Sequence, residues 1–373
     1  MDKESFINLS NKYFHLISLY LHKKKDDDFK VNEDELKFFI SLSTHHSLTA
    51  LLYKALLETS TDVDPTYLKK LEQHYLANIR KMVLFEQERK ELYKYLNDNQ
   101  IDFLPLKGIV IKDYYPDVNV REFADNDILF KGKDKLIKKY FVDHGYLVEL
   151  FKKSNHDVYL KKPCLNYEMH RSLFGETGDN EHIVQYFSNY MDKAPIKEGY
   201  EHYLSLENFY IYFTAHTYKH FHIAGCGIRT LVDYYLFLNA NKLDFVYIDE
   251  ELKKLGLLDF SKEISSLSMK LFDEVPLDDK EKEMLLFISS SGTYGTLENR
   301  VEKGVKEKGR FKYFISRIFP PYRFYKTAYP WAYKTVILIP IAWMMRCIRV
   351  LFKNPRSAAK EIKLISKSKE KEK

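Results

Sequence analysis

The sequence predicts an α+β fold, a small mixed β-sheet flanked by N-terminal and C-terminal helical regions. Three observations carry this expectation. Apolar residues recur at helical spacing through the first hundred residues; short apolar runs then alternate with helical ones to about 175; and helical patterns return after Asp179. The resulting organisation is a helical region over 1–98, an α/β core over 99–175, a helical domain over 176–298 and a basic, aromatic arm over 299–373.

The first element runs from Ser5 to Leu21, with Phe6, Leu9, Phe14, Leu16 and Leu21 on a broad apolar face. Asn32 is placed to cap a second helix, and Glu35 three residues on completes a capping box. Pro65 opens a longer helix through Asn97, free of Gly and Pro after its first residue. Ile101–Leu106 reads as a strand ending in Lys107-Gly108, Ile109–Tyr115 as a helix stopped by Pro116, and Phe123–Phe130 as the next strand. Asp134–Gly145 is a helix with Gly145 as its stop. Strand candidates follow at Tyr146–Phe151, His156–Lys161 and Cys164–Leu173. Beyond them, Asn208–Phe221, Ile228–Leu238 and Lys280–Ile288 are the clearest helices.

The 373 residues suffice for two or three domains, and 29 Tyr, 26 Phe and 2 Trp supply large rings for a sizeable core. Cys164, Cys226 and Cys347 are scattered and odd in number, which suits a reducing cytoplasm better than a disulfide framework. The N-terminus lacks the apolar run of a signal peptide. The net charge of +6 is uneven: from Arg300 onward, 20 Lys and Arg face 5 Asp and Glu, a net of +15, leaving −9 on the preceding 299 residues. An acidic body with a basic arm argues for targeting, and against nucleic acid as the partner.

Asp125 and Asp127 are two apart on an expected strand, so both carboxylates project to one side while Asn126 and Ile128 face the other. Adjacent like charges repel, and a divalent cation with a preference for hard oxygen ligands resolves the conflict. Glu168, on the strand candidate Leu165–His170, completes a three-carboxylate cluster if that strand lies beside the first. Such a cluster suits two Mg²⁺ ions, with Mn²⁺ as the alternative, and phosphoryl-transfer chemistry. Lys107 and Gly108 form a strand-to-helix turn suited to a phosphate, and Arg121 lies four residues before Asp125 as a further cation for phosphate charge.

The run Leu104-Pro-Leu-Lys-Gly-Ile109, Tyr115-Pro116, Arg121 and Asp125-Asn-Asp-Ile-Leu129 resembles the uncharacterised nucleotidyltransferase family, within the DNA polymerase β-like nucleotidyltransferase superfamily. Glu168 in Tyr-Glu-Met-His matches the later acidic strand position; Gly227-Ile-Arg-Thr-Leu-Val-Asp233, after His216 and His220, resembles the helical segment; and Pro320-Pro321, Tyr329-Pro330 and Pro340–Trp343 resemble the C-terminal end. The resemblance thus spans about 100 to 350. It implies transfer of a nucleoside monophosphate from an NTP to an acceptor hydroxyl with release of pyrophosphate, with Asp125, Asp127 and Glu168 holding the metal. Lys107, Gly108, Arg121 and Arg229 would contact the nucleotide. Two departures stand out: Ile109 follows Gly108 where a hydroxyl or second Gly is usual, and Asn126 separates the aspartates where an apolar residue is common. The alternative is a non-catalytic nucleotide-binding or membrane-docked accessory protein.

Other features have plainer readings beside sharper ones. His216 and His220 share a helical face, but without a Glu at 217 or nearby Cys they read as polar residues packed near the core or contacting substrate rather than as zinc ligands. Arg229 and Asp233, at i and i+4, either pair along their helix or line the cleft; Arg121 either binds phosphate or pairs with Glu122 or Asp117. In the arm, Arg346, Arg349, Lys353, Arg356, Lys360, Lys363 and Lys367 would form one cationic stripe on a continuous helix, which Pro355 divides. With the short apolar run Thr335–Met345, this gives two expectations: peripheral attachment to an anionic inner membrane face, or a helix docked on the domain with a charged tail.

Overall fold

The structure is a computed structural model and describes residues 3–59, 62–176, 180–293, 295–353 and 355–368. Helices Lys3–Leu21, Glu33–His46, Thr49–Glu58 and Pro65–Asp98 build the N-terminal region. The capping box forms as expected: the Asn32 side chain accepts from the Glu35 amide at 2.9 Å, and the Glu35 carboxylate accepts from the Asn32 amide at 2.9 Å. Pro65 stands in the first turn of the long helix, with Asp64 capping the Thr66 amide at 2.7 Å.

The sheet is mixed and contains β1 (Phe103–Pro105), β2 (Asn126–Phe130), β3 (Leu147–Leu150), β4 (His156–Lys161), β5 (Leu165–His170), β6 (Ile196–Glu198) and β7 (Glu201–His202). Their order is β3-β4-β5-β2-β1-β7-β6, with β2 parallel to β5 and β1 parallel to β7. β6 and β7 lie beyond the 99–175 stretch in which the sequence placed the strands. β2 is also shorter than expected and begins at Asn126, one residue after Asp125. The reason is local: the Glu122 carbonyl accepts from Arg229 at 2.7 Å and the Phe123 carbonyl accepts from Lys81, so side chains take acceptors that a ladder would otherwise use.

The two faces of the sheet meet different partners. Ile128, Phe130, Tyr159, Tyr167 and Met169 pack with Met82, Phe85, Leu92 and Leu96 of the long helix, and Phe141 stacks on Tyr159 at 4.1 Å. Leu104, Leu106 and Leu129 join a larger cluster that unites the N-terminal helices with Leu206–Ile223, Ile228–Ala240 and Leu258–Phe272. Period-two alternation therefore turns Asp127, like Leu129, toward the Leu206–Ile223 and Ile228–Ala240 helices.

In the arm, Ile365 buries against Val301, Val305 and Tyr313, while Lys360 pairs with Glu298 at 2.8 Å and Arg317 with Glu361 at 2.5 Å. Pro355 separates helices Ile339–Lys353 and Pro355–Lys367, as expected. The cationic stripe is not continuous: Arg346 turns inward to donate to the carbonyls of Arg317 and Ile318, and Lys360 is engaged by Glu298. The Lys353 side chain lies outside those described. Among the described residues, no helix is long and apolar enough to cross a membrane.

Candidate active site

The β2–β5 pairing decides the geometry. Asp127 sits directly opposite Glu168 in the parallel register, and Asp125 precedes the strand by one residue. One oxygen from each of the three carboxylates falls within 4.8 Å of the others, so the residues singled out from the sequence converge. Lys107 reaches the same point from the turn after β1, donating to Asp127 Oδ1 at 2.6 Å. His170, two residues after Glu168, donates from Nε2 to that oxygen at 2.7 Å.

The backbone at Lys107 is forced. Its φ is +47° and ψ −119°, and Ile109 N–H donates to the Leu106 carbonyl at 3.2 Å, which closes a tight turn at a position that favours Gly. A lysine held there against its conformational preference is the kind of strain found at functional positions. Gly108 does something other than leave room for phosphate alone. A Cβ on it would lie 2.5 Å from Arg121 Nη1 and 3.0 Å from Phe123, so its bareness admits the guanidinium.

Arg121 makes no pair with Glu122 or Asp117. It donates from Nε and Nη2 to the two oxygens of Asp233 at 2.9 and 2.8 Å, and Tyr115 donates to the same carboxylate at 2.7 Å. Arg229 and Asp233 therefore do not pair along their helix; each reaches across to the loop before β2. Asn126, on the opposite face, accepts from buried Arg89 at 2.8 Å, which accounts for a polar residue between the aspartates.

Charge is finely divided here. Burial and the neighbouring Asp127 push Asp125 up to about 6 and Glu168 up to about 7. Asp127 is buried too, but the Lys107 ammonium and the His170 hydrogen bond outweigh that and hold it well below the usual carboxylate range. Burial works against the Lys107 ammonium, yet Asp127 and the other carboxylates keep its pKa above the ordinary lysine value. Two carboxyls held near neutrality by desolvation and repulsion, beside a third that is ionised, fit a divalent cation whose charge would relieve both effects. His156, Glu168 and His170 form a second group with donor atoms within 4.8 Å, a mixed set that Mn²⁺ tolerates better than Mg²⁺.

These residues line a cavity of about 290 Å³ whose far wall is the Leu206–Ile223 helix. His216, Lys219 and His220 face it from positions i, i+3 and i+4. The two imidazoles touch, Nε2 to Nε2 at 3.2 Å, and burial with nearby cations keeps both neutral, His220 at about 4 and His216 well below its ordinary value. Burial and Lys107 likewise lower Lys219, which has no carboxylate within 4.0 Å among the described residues. Sequence reasoning left Lys219 aside, although its spacing to His216 and His220 was the available signal. Arg229 and Gly108 also line the cavity.

With this geometry in place, the likeness to known proteins becomes specific. The model of the family described as "Uncharacterised nucleotidyltransferase" matches residues 32–273, more than half of the chain. The chain belongs to this family. The match includes every residue of the cavity wall named above and begins earlier than the sequence resemblance suggested, at Asn32. It ends at Asp273, so the proline and tryptophan pattern of 320–343 lies outside it. No curated protein and no solved structure gives a significant match. Nucleotidyl transfer is the role that membership in this family supports.

Proposed function

We propose that the protein is a metal-dependent nucleotidyltransferase that moves a nucleoside monophosphate from an NTP to an acceptor hydroxyl and releases pyrophosphate. The observation that carries this reading is the register of Asp127 against Glu168, with Asp125 beside them at the floor of a cation-rimmed cavity.

Asp125, Asp127 and Glu168 are the residues that would hold Mg²⁺ or Mn²⁺, which when bound supplies charge neutralisation at the triphosphate and at the attacking oxygen. The protein's own side chains do the rest. Lys107, Lys219 and Arg229 offer positive charge to the phosphates from three sides of the cavity. Glu168, level with Asp127 on the neighbouring strand, is the carboxylate that would take the acceptor proton as the acceptor oxygen bonds to the α-phosphorus. The α–β phosphoanhydride bond breaks, and pyrophosphate leaves. Arg121 acts from behind, fixed on Asp233, with Nη1 near Gly108. Positioning and electrostatics account for the catalysis, and no covalent nucleophile is needed.

The test is pyrophosphate release from each NTP, with Mg²⁺ or Mn²⁺ and a panel of hydroxyl acceptors, comparing the native protein with Asp127→Asn. The expected loss is ~10³-fold. NTP binding without pyrophosphate release from any NTP would favour the non-catalytic alternative.

A further inference from the structure

We infer that the outward face of the Ile339–Lys353 helix is a docking surface for an anionic lipid bilayer. Ile341, Met344, Met345, Ile348 and Phe352 fall at i, i+3, i+4, i+7 and i+11, which places them on one stripe. All five are exposed, Phe352 by 82%, and the preceding Ile337 by 86%. A helix of a globular domain ordinarily turns such a stripe inward.

Here the opposite face is the one held by the protein. Ala342 is buried, Trp343 donates from Nε1 to the Ile318 carbonyl at 2.9 Å and stacks on Phe319 at 5.3 Å, and Arg346 donates to two carbonyls beneath. The orientation is thus fixed by specific contacts, with the apolar stripe left facing away. Contiguous exposed apolar surface of this kind marks an interaction site.

Charge identifies the partner. Between Lys308 and Ser368 there are 14 Lys and Arg and one acidic residue, Glu361, which Arg317 already engages. Arg317, Arg323, Lys326 and Lys360 form ion pairs, whereas Lys334, Arg349 and Arg356 make none among the described residues. Arg349 is one residue from Ile348, on the flank of the stripe, where its head can reach lipid phosphates while its stem lies on the apolar surface. Exposed Tyr322 and Trp331 belong to the same arm and suit the headgroup level. A second copy of the chain fits poorly, because a two-fold contact would set this cationic surface against itself. The helix has 15 residues, about 22 Å, and therefore lies on a bilayer and does not span its ~30 Å core.

Flotation of the full-length protein with vesicles of phosphatidylcholine alone, or mixed with phosphatidylglycerol, tests this. The protein should float with the mixed vesicles and remain behind with the neutral ones. Ile348→Gln combined with Phe352→Gln should weaken binding ~10-fold or more. Arg349→Gln should weaken it about 5-fold, and high salt should weaken it further. The substituted side chains are exposed, so an unchanged melting curve confirms an intact fold. Equal binding to both vesicle types, or binding that none of these variants reduces, would overturn the inference. So would a dimer detected by light scattering that the double variant dissolves in the absence of vesicle binding.

Discussion

Arg121 and Asp233 stand 112 residues apart in the chain and meet, both buried, through two parallel hydrogen bonds of 2.9 and 2.8 Å. The pair fastens the loop that delivers Asp125 to the helix that carries Arg229. With the partner removed, the guanidinium would remain buried and unpaired. Asp233→Ala should therefore cost about 3–5 kcal/mol of stability, measured by urea unfolding. A loss below ~1 kcal/mol would show that the tie does not hold the loop.

Gly108→Ala probes the same junction from the other side. The added Cβ would meet Arg121 Nη1 at 2.5 Å and Phe123 at 3.0 Å. Displacing the guanidinium should cost about 1–3 kcal/mol, read from the same unfolding curves.

Lys219 has no carboxylate partner among the described residues and, unlike Arg229, holds no backbone carbonyl of the loop before β2, so its substitution should act on the ligand more than on the fold. Lys219→Met is expected to weaken NTP binding ~10-fold or more, with a melting temperature close to that of the native protein. Calorimetry with NTP and Mn²⁺ reads the first effect and thermal unfolding the second. A destabilised variant with unaltered binding would contradict the assignment.

Glu168 should leave a pH signature in the metal-free protein. Its pKa rises from 4.5 to about 7 on folding, so the native state keeps a proton that the unfolded chain has released. That contribution makes stability fall as pH rises through this window. His46, His156 and His220, each lowered to about 4, act in the opposite sense below 6.5, and comparison with Glu168→Gln largely cancels them. Relative to the native protein, Glu168→Gln should gain on the order of 1 kcal/mol between about pH 5 and about pH 8. Mn²⁺ should narrow that gap by stabilising the native protein.

The readable parts of the molecule were those fixed by short-range chemistry. The Asn32–Glu35 box and the Pro65 start are local hydrogen-bond and φ constraints, and both appear where the residues placed them. Asp125, Asp127 and Glu168 could be singled out because like charges at strand spacing have few structural explanations. β6 and β7 escaped because Ile-Lys-Glu and Glu-His are too short and polar to show alternation. The Arg121–Asp233 pair escaped because nothing local distinguishes it from the i, i+4 pairing of Arg229 with Asp233, which tertiary structure overrides. Lys219 was one lysine among many until the fold gave it a cavity to face.

The most direct measurement is a crystal structure grown with Mn²⁺ and a non-hydrolysable NTP, with anomalous scattering recorded to locate the ion. The account predicts a peak about 2.1 Å from carboxylate oxygens of Asp125 and Asp127, with Lys107 moved from Asp127 toward the phosphates. A nucleotide seated elsewhere, with Lys107 still on Asp127 and no peak among the three carboxylates, would contradict it.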